Sequence, residues 1–230
     1  YVTHVKELTD QKAITRFHQI LFDSFHKANP VLWFGVISRQ NPLDNWVMQE
    51  IITEVKPDFI IEPGTGRGGT ALFYATVLEH VHPAGKVITV DIVRLIDLVS
   101  RQDLFRRRVE FIEGDSVSPA VTRQTAERVK EHRVMVPLDS LHTKDHVLKE
   151  LNLYAPLVSL NSYLVVQDTN ENGHPVLTSF GPGPMEAVEE FLKLNDDFVI
   201  DKSREKFHVT FYPSGFLKRI KGQEVQTFKE

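Results

Sequence analysis

The spacing of apolar residues along the first part of the chain predicts two helices. From Gln11 to Ala28 the apolar positions recur as in an amphipathic helix, and Pro30 ends it. The turn at Asn41-Pro42-Leu43-Asp44 then predicts a second helix, with Asp44 as its N-cap and apolar residues reaching Val55. We interpret residues 1–57 as an N-terminal helical extension of a single domain.

From residue 58 onward, short apolar runs alternate with helical segments. The predicted strands are Phe59–Ile61, Val87–Val90, Val109–Ile112, Val134–Leu138 and Tyr163–Val166, and the helices lie near Thr70–Val81, Thr122–Lys130 and Lys144–Leu153. This alternation predicts βαβ units, and hence an α/β fold with a doubly wound, mostly parallel sheet. After a loop at Asn172–Pro184, the pattern predicts a helix at Glu186–Leu194 and a strand pair, Phe198–Ile200 and His208–Phe211, at the sheet edge.

Composition narrows the class of protein. The 230 residues suffice for one domain over 1–230, and 41% hydrophobic with 25% charged residues is ordinary for a globular protein. The net charge of −4 argues against a nucleic-acid partner, and no apolar run approaches the roughly 18 residues of a membrane span. The absence of cysteine excludes disulfides and thiolate chemistry. We therefore expect a cytoplasmic protein that binds neither nucleic acid nor membrane.

A glycine-rich loop follows the first predicted strand of the sheet. Its sequence is Glu62-Pro63-Gly64-Thr65-Gly66-Arg67-Gly68-Gly69. Glycines let the backbone turn tightly and approach a ligand, while the following helix offers free N–H groups. We expect the cofactor to contact Gly64, Thr65, Gly68 and Gly69. Because the same glycines satisfy the dinucleotide pattern G-x-G-x-x-G, an NAD-dependent oxidoreductase is a competing hypothesis.

Acidic residues near the strand ends favour S-adenosylmethionine over a dinucleotide. Glu62 precedes Gly64 by two residues. A carboxylate there would attract the cationic amino group of S-adenosylmethionine, whereas it would repel the pyrophosphate of a dinucleotide. Asp91 ends the second strand and suits a pair of ribose hydroxyls under either hypothesis. Asp115 and Ser116 follow the third strand, where an adenine amino group would need an acceptor.

Two further carboxylates follow the fourth and fifth strands. Asp139 and Asp168 should lie at the same rim of the sheet, and such oxygen ligands suit Mg²⁺. A bound metal would lower the pKa of a substrate hydroxyl, and His142, three residues beyond Asp139, would take its proton as general base.

Six motifs recur together between about Trp33 and Arg219. They are Asn41-Pro42-Leu43-Asp44-Asn45-Trp46, Ile61-Glu62-Pro63-Gly64-Thr65-Gly66-Arg67-Gly68-Gly69, Leu138-Asp139-Ser140-Leu141-His142, Gly181-Pro182-Gly183-Pro184, Glu205-Lys206-Phe207 and Pro213-Ser214-Gly215-Phe216-Leu217. Together they resemble the cephalosporin hydroxylase/rhamnosyl O-methyltransferase family. The resemblance implies a class I methyltransferase fold, S-adenosylmethionine, Mg²⁺ and, often, a homo-oligomer. The metal rim is also similar to that of macrolide-sugar O-methyltransferases. Asp139 and His142 match their Asp-x-x-His element, and Asp168 matches the second acid of a later pair.

The chain departs from the family pattern at three positions. Gln167 stands where the family usually has an acidic residue, so its amide oxygen would be a weaker third metal ligand. Pro63 and Pro137 stand where a strand residue normally carries an N–H, which central strands rarely lack.

The leading hypothesis is an S-adenosylmethionine- and Mg²⁺-dependent O-methyltransferase acting on a hydroxyl of a small sugar, polyol or natural product. Two alternatives stay open. One is the NAD-dependent oxidoreductase, and the other is a methyltransferase-like accessory protein that supports a partner enzyme.

Overall fold

The computed structural model describes residues 11–27 and 30–222, so the predicted helix end at Ala28 lies outside it. The helices are α1 (Gln11–Lys27), α2 (Pro42–Val55), α3 (Gly69–Val81), α4 (Asp103–Arg108), α5 (Pro119–Arg128), α6 (Lys144–Tyr154) and α7 (Pro184–Leu194). The strands are β1 (Leu32–Trp33), β2 (Val36–Ile37), β3 (Phe59–Pro63), β4 (Lys86–Asp91), β5 (Val109–Glu113), β6 (Val134–Leu138), β7 (Tyr163–Val166), β8 (Phe198–Ile200) and β9 (Phe216–Arg219). The short helix α4, which buries Phe105, was not predicted. No helix of the described part combines the length and apolarity needed to cross a bilayer.

The main sheet has the order β5-β4-β3-β6-β7-β9-β8. Strands β3 to β7 pair in parallel, whereas β9 runs antiparallel to both β7 and β8. The chain winds outward from β3 to β5 and then returns to place β6 on the other side of β3. The predicted doubly wound, mostly parallel sheet is therefore confirmed, and its topological switch point lies between β3 and β6, where such sheets bind ligands.

The edge strand pair differs from the prediction. Its second member is β9, and the predicted strand His208–Phe211 is wrong. His208 has a φ of 63°, and the backbone N–H of Phe211 donates to the Asp44 carboxylate rather than to a neighbouring strand. The apolar pattern of this segment reflects burial in the core, since Phe211 packs among buried residues without joining the sheet.

The two strand prolines lie where one ladder ends. β3 and β6 pair only through Phe59 with Val134 and Ile60 with Met135. Beyond these pairs, Pro63 and Pro137 have no N–H to donate. The Asp139 N–H then donates to the Pro63 carbonyl at 2.9 Å, which keeps the two strand ends side by side. The two strands therefore stay adjacent at their carboxyl ends although their regular ladder has ended.

The start of α2 also differs from the prediction. Asn41, not Asp44, is the N-cap, and its side chain accepts the Leu43 N–H at 3.1 Å. Pro42 takes the first helical position, which suits its fixed φ and missing N–H. Asp44 is instead buried in the first turn, where desolvation raises its pKa to about 7 although it accepts hydrogen bonds from Asn41 and Phe211.

Each face of the sheet carries its own apolar core. On one face, α2 and α3 contribute Met48, Ile52 and Leu72. On the other, α6 and α7 contribute Leu151 and Phe191. Helices on both faces leave the carboxyl ends of the strands as the open side of the sheet.

Candidate active site

A cleft of about 730 Å³ opens at the carboxyl ends of the parallel strands. This volume lies within the range of small-molecule sites. Among its lining residues are eight that the sequence had singled out: Gly64, Thr65, Asp91, Asp115, Ser116, Asp139, His142 and Asp168. Residues from the turns after five different strands thus converge on one cavity.

Gly64 lies where the cleft-lining turn after β3 meets the cleft-lining turn after β6. Its φ is 98°, and a Cβ built on it would lie 1.7 Å from the backbone oxygen of Asp139. The glycine turn after β3 therefore lies directly against the turn after β6, at a distance that no side chain allows.

Asp91 is held at the end of β4 by two backbone donors. Its Oδ2 accepts the Gly66 N–H at 2.9 Å, and its Oδ1 accepts the Val93 N–H at 3.1 Å. A carboxylate has about four acceptor sites. Asp91 can therefore still accept hydrogen bonds from a ligand diol while the protein fixes its orientation.

Three residues expected at the cofactor do not line the cleft. Glu62 is 0% exposed and accepts a hydrogen bond from the Thr89 hydroxyl at 2.7 Å, so it reaches the cleft only through Thr89 and Thr65. Burial raises the Glu62 pKa well above its ordinary value. Gly68 and Gly69 face the protein instead, and a Cβ on Gly69 would meet the Ile37 carbonyl oxygen at 2.3 Å. Gly69 thus allows β2 to pack closely against α3, whereas a Cβ on Gly68 would meet the side chains of Val99 at 2.8 Å and Phe105 at 3.2 Å.

Asp139, His142 and Asp168 form the charged end of the cleft. One ligand atom from each lies within 4.8 Å of the others. The His142 Nε2 is 3.5 Å from an oxygen of each aspartate. The predicted meeting of the two carboxylates at one rim is confirmed, and the donor set suits a divalent cation.

Negative charge exceeds positive charge around His142. Its Nδ1 lies 3.2 Å from Oε2 of Glu171, a third carboxylate. Burial alone would lower the His142 pKa, but Asp168, Asp139 and Glu171 outweigh it and raise the pKa well above its ordinary value. Burial, with the charges of Asp139 and Glu171, raises the Asp168 pKa to about 8. A bound cation would compensate this surplus of carboxylates.

Gln167 does not reach the cleft. It is 1% exposed, its Nε2 donates to the Tyr74 hydroxyl at 3.2 Å, and its Oε1 lies 3.0 Å from the Tyr212 hydroxyl oxygen. Asp168 has a φ of 53°, so the chain turns sharply after Gln167 and the two side chains diverge. The expectation that the Gln167 amide is a metal ligand therefore lacks support from its placement.

Two residues that touch this cluster, Gln40 and Glu171, carry no signal in the sequence. Gln40 donates through Nε2 to Asp139 Oδ2 at 2.9 Å. The Gln40 Oε1 accepts a hydrogen bond from the Tyr212 hydroxyl. Gln40 precedes α2 and is 99 positions from Asp139, so no spacing relates them. Glu171 stands in the loop after β7, where a single glutamate is unremarkable in sequence.

Comparison with known proteins points to one group. Residues 26–220 match the family model for Rhamnosyl O-methyltransferase/CmcI. The chain is 40% identical over 208 residues to a rhamnosyl O-methyltransferase of Mycobacterium leprae, covering 88% of this chain and 89% of that protein. It is 39% identical over 192 residues to that of Mycobacterium tuberculosis, covering 81% and 77%.

Solved structures show the same fold at low sequence identity. CmcI in its apo form superposes with a TM-score of 0.62 and 16% identity, over 84% of this chain and 77% of that one. An O-methyltransferase from Bacillus cereus in complex with SAH gives a TM-score of 0.55 and 12% identity, over 94% of each chain. The architecture is that of a class I methyltransferase, as the sequence predicted.

Proposed function

The chain belongs to the Rhamnosyl O-methyltransferase/CmcI family, and from this premise we propose that it transfers the methyl group of S-adenosylmethionine to a hydroxyl of a small sugar or related polyol. The observation that carries the proposal is the contact between Gly64 and Asp139. It joins the turn expected to hold the cofactor to the acidic cluster expected to hold the acceptor. A cofactor and an acceptor in this cleft would therefore meet at adjacent sites.

The cofactor half comprises the turns after β3, β4 and β5. Gly64 and Thr65 bring backbone close to the ligand, and Asp91 accepts from the ribose hydroxyls. Asp115 and Ser116 lie at the base-binding end. S-adenosylmethionine supplies an electrophilic methyl group. One solved form of cmcI carries Mg and SAM, and we propose the same two ligands here.

Asp139 and Asp168 are the proposed Mg²⁺ ligands. Their oxygens are close enough for one cation, and Gln40 fixes Asp139 through its second oxygen. Gln167 is left out of the ligand set because tyrosines hold both its polar atoms. A divalent cation bound here supplies Lewis acidity, which lowers the pKa of an acceptor hydroxyl.

His142 is the proposed general base. With its Nδ1 facing the Glu171 carboxylate, the Nε2 points toward the two aspartates. A cation bound by Asp139 and Asp168 would offset two of the charges that raise the His142 pKa. The imidazole would then carry one proton, on Nδ1 and held by Glu171, which leaves the Nε2 lone pair to accept the proton of the acceptor hydroxyl. We also propose a single domain with residues 1–57 as its extension, a homo-oligomeric assembly and a cytoplasmic location.

The proposal is tested by calorimetry with S-adenosylhomocysteine and, separately, NAD⁺. The protein should bind the first clearly more tightly than the second, and the reverse order would refute the proposal in favour of an oxidoreductase. Asp91→Ala should weaken S-adenosylhomocysteine binding by about 1–3 kcal/mol, since ribose hydroxyls lose their acceptor. Asp97→Ala, at an exposed position after the same strand, is the matched control and should change nothing.

The catalytic part is tested by methyl transfer from S-adenosylmethionine to a panel of rhamnosides and other glycosides. Asp139→Asn should abolish the Mg²⁺ dependence while S-adenosylhomocysteine still binds. If the protein binds the cofactor but methylates no hydroxyl of the panel, with or without Mg²⁺, the accessory-protein hypothesis replaces this one.

A further inference from the structure

A buried glutamate lies beneath the base-binding end of the cleft. Glu150, on α6, is 0% exposed. Its Oε1 accepts hydrogen bonds from the Ser116 hydroxyl at 2.5 Å and the Ser140 hydroxyl at 2.7 Å. The two serines belong to the turns after β5 and β6, and both line the cleft. One carboxylate oxygen thus ties together two walls of the cavity.

These bonds decide which way the serine hydroxyls present themselves. A hydroxyl has one proton and two lone pairs. Because both protons go to Glu150, Ser116 and Ser140 offer only acceptor lone pairs elsewhere. The His146 Nε2 lies 3.2 Å from the Ser116 oxygen and 3.4 Å from Glu150 Oε1, and it cannot receive the Ser116 proton, which is already engaged. Ser116 therefore retains at least one lone pair for a ligand, and Ser140 retains two.

Stability alone does not account for a carboxylate at this position. Within the described residues, Glu150 Oε2 is buried without a hydrogen-bond partner, which is costly. The Ser116 backbone is separately anchored, because the Tyr154 hydroxyl donates to its carbonyl at 2.8 Å. The turn would thus be held without Glu150, and what the carboxylate adds is the direction of the two hydroxyl protons.

We propose that Glu150 is a positioning residue that makes the base-binding end of the cleft select an exocyclic amino group, and hence adenine over a 6-oxo purine. Ser116, Ser140 and the neighbouring Asp115 all present acceptors to that end. An amino group can donate two hydrogen bonds to such a surface. The oxygen of a 6-oxo purine can only accept hydrogen bonds, so its lone pairs would face the lone pairs of the protein oxygens and repel them. The inference rests on the proposed function, since it assumes that an adenosyl ligand occupies the cleft.

The test compares S-adenosylhomocysteine with its deaminated analogue, S-inosylhomocysteine, by calorimetry. The wild type should prefer the amino compound by at least about tenfold, the effect of one or two mismatched hydrogen bonds. In Glu150→Met both serine protons are released and can donate to the 6-oxo group, so the preference should fall to within about threefold. Glu150→Gln keeps a carbonyl oxygen for the serines and should retain most of the preference.

Controls separate this role from a structural one. Lys149→Met, at an exposed neighbouring position of α6, should leave both affinities unchanged. A purely structural role of Glu150 would weaken both ligands together and leave their ratio intact, which would overturn the inference. If Glu150→Met does not fold, the Ser116→Ala/Ser140→Ala double variant removes the two serine acceptors, leaves Asp115 in place and must lower the preference.

The two proposals fail in different ways. Binding of neither nucleoside by the wild type refutes the proposed function and this inference with it. Tight binding of S-adenosylhomocysteine with an unchanged preference in Glu150→Met, or in the double serine variant, refutes only the inference.

Discussion

Replacing Gly64 with alanine tests whether the two halves of the cleft depend on one backbone contact. The added Cβ would lie 1.7 Å from the Asp139 oxygen and 2.3 Å from its carbonyl carbon. Both obstacles are backbone atoms, which cannot rotate away as a side chain would. The turn after β3 and the turn after β6 must therefore move apart.

The magnitude follows from a glycine of almost identical conformation. Gly181 has a φ of 96°, close to the 98° of Gly64, but a Cβ on it meets nothing within 4 Å. Gly181→Ala should therefore cost only the strain of a left-handed residue, about 1–2 kcal/mol. Gly64→Ala adds an overpacking term of about 1–3 kcal/mol or more. We expect a total loss of about 2–5 kcal/mol in the free energy of unfolding.

Urea unfolding of the two variants measures the difference directly. Below the unfolding transition, calorimetry should show that Gly64→Ala weakens binding of S-adenosylhomocysteine and of Mg²⁺, because both turns shift. Gly181→Ala should leave both affinities near the wild-type values. Equal destabilisation by the two substitutions would refute the steric argument, and loss of only one ligand would show that the two halves are independent.

Three further predictions concern single side chains in and beneath the cleft. Burial raises the pKa of Asp44 to about 7, so the folded state binds this proton more tightly than the unfolded state. The free energy of unfolding should therefore fall by up to about 4 kcal/mol as the pH rises from about 4 to 7. Asp44→Asn should gain stability relative to the wild type across that window in urea titrations, and a pH-independent difference would contradict the assignment. His142→Ala should lower kcat by roughly 10²–10⁴ with little change in S-adenosylhomocysteine affinity, and full activity between pH 6 and 9 would exclude it as the base. Gln167→Glu should destabilise the protein by placing a charge between two buried tyrosines, without tightening Mg²⁺ binding, and a tighter metal site would show that residue 167 reaches the cation.

Local patterns along the chain were sufficient for the sheet and for its rim. Alternating apolar runs and helical segments indicate a parallel sheet, because parallel neighbours need a long crossover connection, which is usually a helix. Once strands are parallel, their carboxyl ends share one edge, so Asp91, Asp139 and Asp168 had to lie along it. The segment His208–Phe211 failed for the complementary reason, since burial gives an irregular segment the same apolar pattern as a strand.

Only the tertiary structure decided which side chains enter the cleft. Gln167 stands beside Asp168 and Glu62 stands two residues before Gly64, yet both side chains point into the interior. The backbone turns sharply at Gly64 and at Asp168, where φ is 98° and 53°. Gln40 reaches Asp139 across 99 positions, and Glu150 reaches Ser116 across 34. Such contacts depend on how helices and loops pack against the sheet. The periodic pattern of apolar residues predicts the helices, but it does not show which polar residue a helix or loop brings to the site. The sequence therefore determined where the site lies, and packing determined which residues orient it.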